Sequence, residues 1–269
     1  MLKEKSIVLT GASSGIGRAI AQELTTAGAN LILVGRNTDR LTQLGKTLGP
    51  QHKIVAADIS TEQGLNSIVE HCQHHEQGID ILINAAGIPG FTDFEKMSKE
   101  QINNIIHINL TSTIILTQLL LPLLRKRIKP QIINIGSAFA GIAFPTFTVY
   151  SASKFGLRGF TEALRRELMD SDISVRYFAP RATETPFNNA EVGVLNRELK
   201  VNVDTPEQVA KEFLAFINTN KPRYSIGAPE RFFAFLNSVF PSLVDKALFK
   251  QLPIIKKCLP NNHHANPPR

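Results

Sequence analysis

Short, solidly apolar runs alternate along this chain with longer stretches whose apolar residues recur every three or four positions. Ser6-Ile7-Val8-Leu9 is the first run, bounded by Gly11; Ile16, Ala19, Ile20 and Leu24 then mark one face of a helix that Gly28 closes. Strand patterns return at 31–34, 53–56 and 79–83, with helical patterns over 39–48 and 61–75 between them. A long helix is predicted over 101–125, followed by a strand at 131–135. A second long helix opens at Tyr150 and carries Phe155, Leu157, Phe160, Leu164 and Leu168; strands at 174–178 and 224–226 come after it. Strands with no polar alternation are buried on both faces, and strands separated by amphipathic helices run parallel. The pattern therefore predicts one α/β domain over 1–227, a doubly wound parallel sheet with helices on both faces.

The pattern does not end there. Phe232, Leu236, Val239, Phe240, Leu243, Ala247 and Leu248 again recur at three and four, and Pro241 suits the first turn of a second helix. Residues 228–260 are read as a helical extension, and 261–269 (Asn-Asn-His-His-Ala-Asn-Pro-Pro-Arg) as a disordered tail. Charge sharpens this picture. The chain of 269 residues carries a formal +7, yet from Ala228 onward six basic residues stand against two acidic ones. The body is nearly balanced and lacks a basic stripe with interleaved aromatics, so no nucleic-acid partner is expected. In the extension, Lys246, Lys250, Lys256 and Lys257 surround Phe249, Leu252, Ile254 and Ile255. Two roles stay open for it: a helical pair over a substrate cleft or a partner subunit, or an amphipathic segment lying on an anionic membrane.

Two cysteines, Cys72 and Cys258, make no disulfide framework. The start, Met1-Leu2-Lys3-Glu4-Lys5, has no apolar leader, so a cytoplasmic protein is expected. Residues 101–124 hold no Lys, Arg, Asp or Glu, but Asn103, Asn104, His107 and Asn109 interrupt them, which favours a core or interface helix over a membrane span. His71, Cys72, His74 and His75 crowd one predicted helix. A solvated helix face is the expectation there, and no catalytic metal is expected.

Candidate chemistry begins in the turn Thr10-Gly11-Ala12-Ser13-Ser14-Gly15-Ile16-Gly17, between the first strand and the first helix. In a doubly wound sheet this turn receives a dinucleotide pyrophosphate against the helix N-terminus. No Lys-Ser/Thr pair follows the glycines, which argues against an ATP-type phosphate loop. The second strand ends Val34-Gly35-Arg36-Asn37 without an acidic residue. A carboxylate at that position would take the ribose 2′-OH, whereas Arg36 suits a 2′-phosphate, so NADP(H) is favoured over NAD(H). Tyr150 and Lys154, four apart, share a helix face. An ammonium beside a phenol stabilises the phenolate, so Tyr150 can exchange a proton with a carbonyl oxygen. Ser137, after the strand at 131–135, can hydrogen-bond the same oxygen.

Taken together, Thr10–Gly17, Asp58-Ile59, Asn84-Ala85-Ala86-Gly87, Asn109, Ser137, Tyr150 and Lys154 resemble, in order and spacing, the short-chain dehydrogenase/reductase family, in its single-domain T-G-x-x-x-G-x-G/Y-x-x-x-K branch. The resemblance spans roughly residues 5 to 227. It implies a Rossmann-type fold and hydride transfer between a nicotinamide and a ketone, aldehyde or secondary alcohol. Tyr150 would be the acid/base, and Lys154 would lower its pKa while binding the nicotinamide ribose. Ser137 would orient the carbonyl, and Asn109 would hold a water of a proton relay. For the cofactor, it implies contacts from Gly11, Ser13, Ser14, Gly15, Ile16 and Gly17, from Arg36, Asp58 and Ile59, from Asn84, Ala85, Ala86 and Gly87, and from Pro180, Thr183 and Thr185. Residues 186–203 would form a mobile lid, and helices over 101–125 and 151–170 would pair subunits into a homodimer or homotetramer. The chain departs from the pattern at Ala85, where the family has Asn, and at Arg181, where it has Gly. Arg181 keeps open the alternative of a non-catalytic NADP(H)-binding sensor, and the extension that of a membrane-recruited interaction protein. An apolar, lipid-like substrate is expected from the extension.

Overall fold

The apolar residues of the central strands alternate between two cores, one on each face of the sheet, which is why those strands are apolar on both faces. The computed structural model describes residues 2–75 and 78–259; the tail read at 261–269 lies outside them. In chain order the elements are β1 Ser6–Thr10, α1 Gly15–Thr26, β2 Asn30–Gly35, α2 Thr38–Leu48, β3 Lys53–Ala56, α3 Glu62–Gln73 and β4 Ile81–Asn84. Then follow α4 Lys99–Ile106, a π-helical turn His107–Thr111, α5 Ser112–Leu124, β5 Gln131–Ile135, α6 Thr148–Glu167 and β6 Ser174–Ala179. The chain continues with α7 Ala190–Glu198, α8 Pro206–Ile217, β7 Arg223–Ser225, α9 Ala228–Val239 and α10 Pro241–Lys257.

The strands form one sheet in the order β3-β2-β1-β4-β5-β6-β7, and every pairing is parallel. Ile7 and Leu9 point into a core with Ile20 and Leu24 of α1, Leu41 and Leu44 of α2 and Phe213 of α8. Val8, between them, points the other way, toward Ile68 of α3 and Leu116, Leu120 and Leu124 of α5. The strand order reverses between β1 and β4, and the carboxyl ends open a crevice there.

The sheet and its connections match the sequence reading, with two differences. The region read as a lid carries a helix, α7, in its middle. The helix α8 is not among the predicted elements yet is among the best buried, with Val209, Ala210 and Phe213 at 0% exposure. Its carbonyl end is held by Arg176 of β6, whose guanidinium donates to the Phe216 and Ile217 carbonyls at 2.7 and 3.1 Å. The continuous helical run Lys99–Leu124 is long and apolar enough to cross a membrane. Its Leu116, Leu120 and Leu124 are packed against the sheet.

Candidate active site

The crevice is built first by the turn after β1. The Thr10 hydroxyl oxygen accepts from the Ala85 and Ala86 amides at 3.0 and 3.2 Å, joining this turn to the end of β4. Gly11 has φ +69°, a left-handed backbone that glycine adopts freely, and a Cβ there would press on Ala86 backbone at 2.9 Å. A Cβ on Gly17 would overlap the Gly11 carbonyl. Both glycines therefore let α1 start hard against the turn. Asn37, Thr61, Ser98, Asn189 and Thr205 cap their helices with side-chain oxygens, but Ser14 makes no such bond on α1. The first amides of α1 keep their donors for a ligand at the positive end of the helix.

These residues line one side of a cleft of about 370 Å³, with Gly11, Ser13, Ser14, Gly15, Ile16 and Gly17 at one wall. Arg36, Asp58, Ile59, Ala85, Ala86 and Gly87 continue it. Arg36 is 65% exposed, its Nη1 3.8 Å from an Asp58 carboxylate oxygen. Burial pushes the Asp58 carboxyl up, but hydrogen bonds from Ser60 and the charges of Arg36 and His107 outweigh it and hold the group below its ordinary value. A dinucleotide fits this wall: open helix amides for phosphates, small residues for close approach, and a cation at the far end.

The opposite wall carries the reactive set. Ser137 follows β5, with its hydroxyl oxygen accepting from the Phe139 amide at 3.1 Å. Tyr150 and Lys154 lie one turn apart on α6 and are 8% and 5% exposed. The Lys154 ammonium donates to the Ile135 carbonyl at 3.1 Å and sits 5.8 Å from the Tyr150 ring centre. Burial pulls Lys154 down to about 8. Burial likewise pushes the Tyr150 phenol up to about 12, with Ser137 pulling it partway back. The cost of burying a phenolate outweighs the hydrogen bond from Ser137.

Two expected site residues stand back from the cleft. Asn84 is corrected: its amide donates to Thr117 at 3.1 Å and to Asn134 at 2.9 Å, inside a buried polar ladder that continues from Asn134 to Thr161. That ladder fastens α5 and α6 to the sheet, so Asn84 supports the cleft without lining it. Asn109, in the π-helical turn, is fully buried; its amide spans the Ile88 amide and carbonyl at 2.7 and 3.0 Å and reaches Ser153 at 3.2 Å. It braces the segment after Gly87 from behind. Pro180, Thr183 and Thr185 do line the cleft.

Arg181 also lines it and is fully engaged. Its guanidinium makes a two-pronged pair with Asp204 at 2.8 and 2.7 Å, and lies 3.8 Å from Glu230 of α9. The segment after β6, the far end of the lid and the C-terminal extension are thus joined at one point. Nothing in the spacing of the motif marks Asp204 or Glu230, since the pairing arises between segments far apart in sequence.

Sequence reasoning also missed the apolar end of the cleft. Phe139, Phe144, Phe147, Phe187, Val192 and Leu195 line it around Tyr150. The rings of Phe147, Phe139 and Phe187 stand 6.1, 6.3 and 6.0 Å from that of Tyr150. Ile255, Cys258 and Leu259 of the extension pack into the same cluster. The density of phenylalanine after Ser137 was the available signal.

The histidine-rich helix takes another course. His71 and His74 bond carbonyls of their own helix at 3.0 and 2.8 Å, and burial pushes the Cys72 thiol up to about 12. Among the described residues no group of three or more His, Cys, Asp or Glu is placed to hold a metal.

Comparison with known proteins agrees with this geometry. The family model described as short chain dehydrogenase matches residues 5–193. An uncharacterized oxidoreductase of Staphylococcus epidermidis is 35% identical over 185 residues, 69% of this chain and 80% of its own length. The 17-beta-hydroxysteroid dehydrogenase type 3 of Mus musculus is 34% identical over 219 residues, 78% of this chain and 68% of its own. Among solved structures, 3-ketoacyl-(acyl-carrier-protein) reductase of Brucella melitensis, complexed with NADH, superposes with a TM-score of 0.76. It is 26% identical, with 84% of this chain and 98% of that one covered.

Proposed function

The chain belongs to the short-chain dehydrogenase family and is an oxidoreductase with a nicotinamide-dinucleotide cleft, and from that premise we propose that it is an NADP(H)-dependent carbonyl reductase or alcohol dehydrogenase acting on an apolar, lipid-like ketone, aldehyde or secondary alcohol. One observation carries this reading. Ser137, Tyr150 and Lys154 converge where the dinucleotide wall meets a pocket of phenylalanines. The cleft lined by Gly11, Gly15, Arg36 and Lys154 would hold a nicotinamide dinucleotide, which would supply or accept the hydride. Ser137 and Tyr150 hold the substrate oxygen by hydrogen bonds, and Tyr150 donates the proton as that oxygen gains charge. Lys154, anchored on the Ile135 carbonyl, holds a positive charge under Tyr150 and toward the cofactor ribose. The aromatic box excludes water, which strengthens each of these interactions.

The 2′-phosphate preference rests on Arg36 and on the lack of an acidic residue at the end of β2. The lipid-like substrate is supported by the phenylalanine wall and by the relative named for steroid dehydrogenation. The reading includes a cytoplasmic enzyme that pairs with its own copies through α5 and α6. Leu119 and Phe155 on those helices are 37% and 40% exposed. The pairing of Arg181 with Asp204 supports the catalytic reading, since it gives this departure from the family pattern a bracing role.

The test is loss of NADPH absorbance with a pooled panel of acyl ketones, steroid-like ketones, aldehydes and quinones. Wild type turns over at least one pool, and Tyr150→Phe lowers kcat by about 10²–10⁴-fold while NADPH still binds. Tight NADPH binding with no turnover in either direction would return the sensor reading. In the same assay Arg36→Ala raises KM for NADPH by about tenfold or more and leaves that for NADH within about twofold. Equal changes for both cofactors would remove the 2′-phosphate assignment.

A further inference from the structure

The C-terminal pair α9 and α10 contributes little to the core. No residue of α9 is buried, and on α10 only Val244 and Ile255 are. Yet Phe232, Phe235, Val239, Phe240 and Leu243 are 60%, 65%, 49%, 55% and 52% exposed. At 3.6 residues per turn, Phe232, Phe235 and Val239 fall within about 60° around α9. Val239, Phe240 and Leu243 continue this apolar surface over the joint between the two helices. On α10, Leu243, Lys246, Lys250, Ile254 and Lys257 share a stripe about 80° wide. That stripe carries two apolar side chains among three cations.

We propose that α9 and α10 dock on an anionic lipid bilayer, with the aromatic face and the joint entering the headgroup boundary and the lysines meeting lipid phosphates. Charge chooses this occupant over a second copy of the chain. Residues 228–257 hold Arg231, Lys246, Lys250, Lys256 and Lys257 against Glu230 and Asp245 alone, and Glu230 is already beside Arg181. A two-fold interface would gather the same lysines from both copies into one desolvated patch, where like charges repel. An anionic headgroup layer neutralises them, while long lysine stems let apolar neighbours enter. The docked segment is tied directly to the cleft. Asn237 donates to the Gly141 carbonyl at 3.1 Å, Glu230 faces Arg181, and Ile255 packs in the cluster around Tyr150. Docking here therefore sets the apolar end of the cleft next to lipid. This last step rests on the reductase reading; the docking does not.

Flotation of the full chain with vesicles tests it, using phosphatidylcholine alone and phosphatidylcholine mixed with phosphatidylglycerol. The wild type floats with the mixed vesicles and at least about tenfold less with the neutral ones. Phe235→Glu combined with Leu243→Glu lowers flotation at least about tenfold, since either side chain contributes that much on burial. Lys246→Gln, Lys250→Gln and Lys257→Gln together bring flotation down to the neutral-vesicle level. Thermal melting confirms that each variant is folded. Wild type that stays with the soluble fraction in both mixtures overturns the proposal, and so does flotation unaffected by the substitutions. A drop in particle mass by light scattering for Phe235→Glu with Leu243→Glu, without vesicle binding by wild type, overturns it in favour of a subunit contact. No cofactor or substrate enters this assay, so its failure and a failure of the reductase reading remain distinguishable.

Discussion

Tyr150 and Lys154 are titratable groups placed in a dry wall, and burial moves them in opposite directions. With Lys154 drawn down to about 8, its charge is present at neutral pH and lost on the alkaline side. Loss of that charge makes the Tyr150 phenol a weaker acid. Accordingly kcat/KM for carbonyl reduction is expected to be level up to neutral pH and to fall as pH rises past about 8, with no such inflection in Lys154→Gln. A stopped pH series in the reductive direction checks it; a profile flat to pH 10 would show that Lys154 stays charged throughout. Tyr150, Lys154 and Ser137 were legible through the joint pattern with the glycine turn that resembles the family; the helix repeat alone shows only that Tyr150 and Lys154 share a face. The role of Arg181 was not legible. In the sequence it stands only as a departure from the family's glycine, because its partners, Asp204 and Glu230, come from later segments.

At the scale of elements, the turn and α1 were readable because their constraint is local: a strand, a glycine-permitted bend and a helix start in eight consecutive residues. Gly17→Ala places a methyl group on the Gly11 carbonyl. The substitution should cost about 1–3 kcal/mol by forcing α1 off the turn. It should also weaken NADPH binding more than any core substitution of equal cost; urea unfolding and cofactor titration measure the two. Strands were readable for a related reason, since burial on both faces leaves mostly apolar residues. The helices α7 and α8 were not. α7 has only Val192 and Leu195 buried and ends among polar residues, giving a faint period. α8 does carry a capping box, Thr205 with Gln208, but its buried face matters only once Phe178 of β6 stands opposite Phe213, 5.2 Å away at 89°.

Across the whole molecule, long-range polar contacts close the sheet around its loops, and one of them carries a pH dependence. The His52 ring, just before β3, accepts the Leu31 amide of β2 at 3.0 Å and lies 3.2 Å from the Thr25 hydroxyl of α1. Accepting that amide requires an unprotonated Nδ1. Burial lowers its pKa below the ordinary 6.5, outweighing the pull of the Leu48 carbonyl in the other direction. The unfolded chain then takes up a proton on this residue before the folded one does. Stability from His52 is complete above about pH 6.5 and is lost progressively as pH falls below it. Urea midpoints at pH 7.5 and 5.5 should separate more for wild type than for His52→Asn, and equal separations would sink the assignment.

What the sequence by itself determined is the part of this protein governed by short-range chemistry. It comprises the parallel sheet, the phosphate-facing turn, the Tyr150–Lys154 pair on one helix face and Arg36 at the end of a strand. These follow from periodicity, backbone geometry and the chemistry of single side chains. Only the tertiary structure decided which of the expected residues reach the cleft, withdrawing Asn84 into a polar ladder and Asn109 behind Gly87. It also decided that Arg181 braces the lid and the extension, and that phenylalanines from several loops share one wall. Those outcomes depend on which distant segments meet after the helices pack, and burial free energy, summed over the whole chain, selects that arrangement.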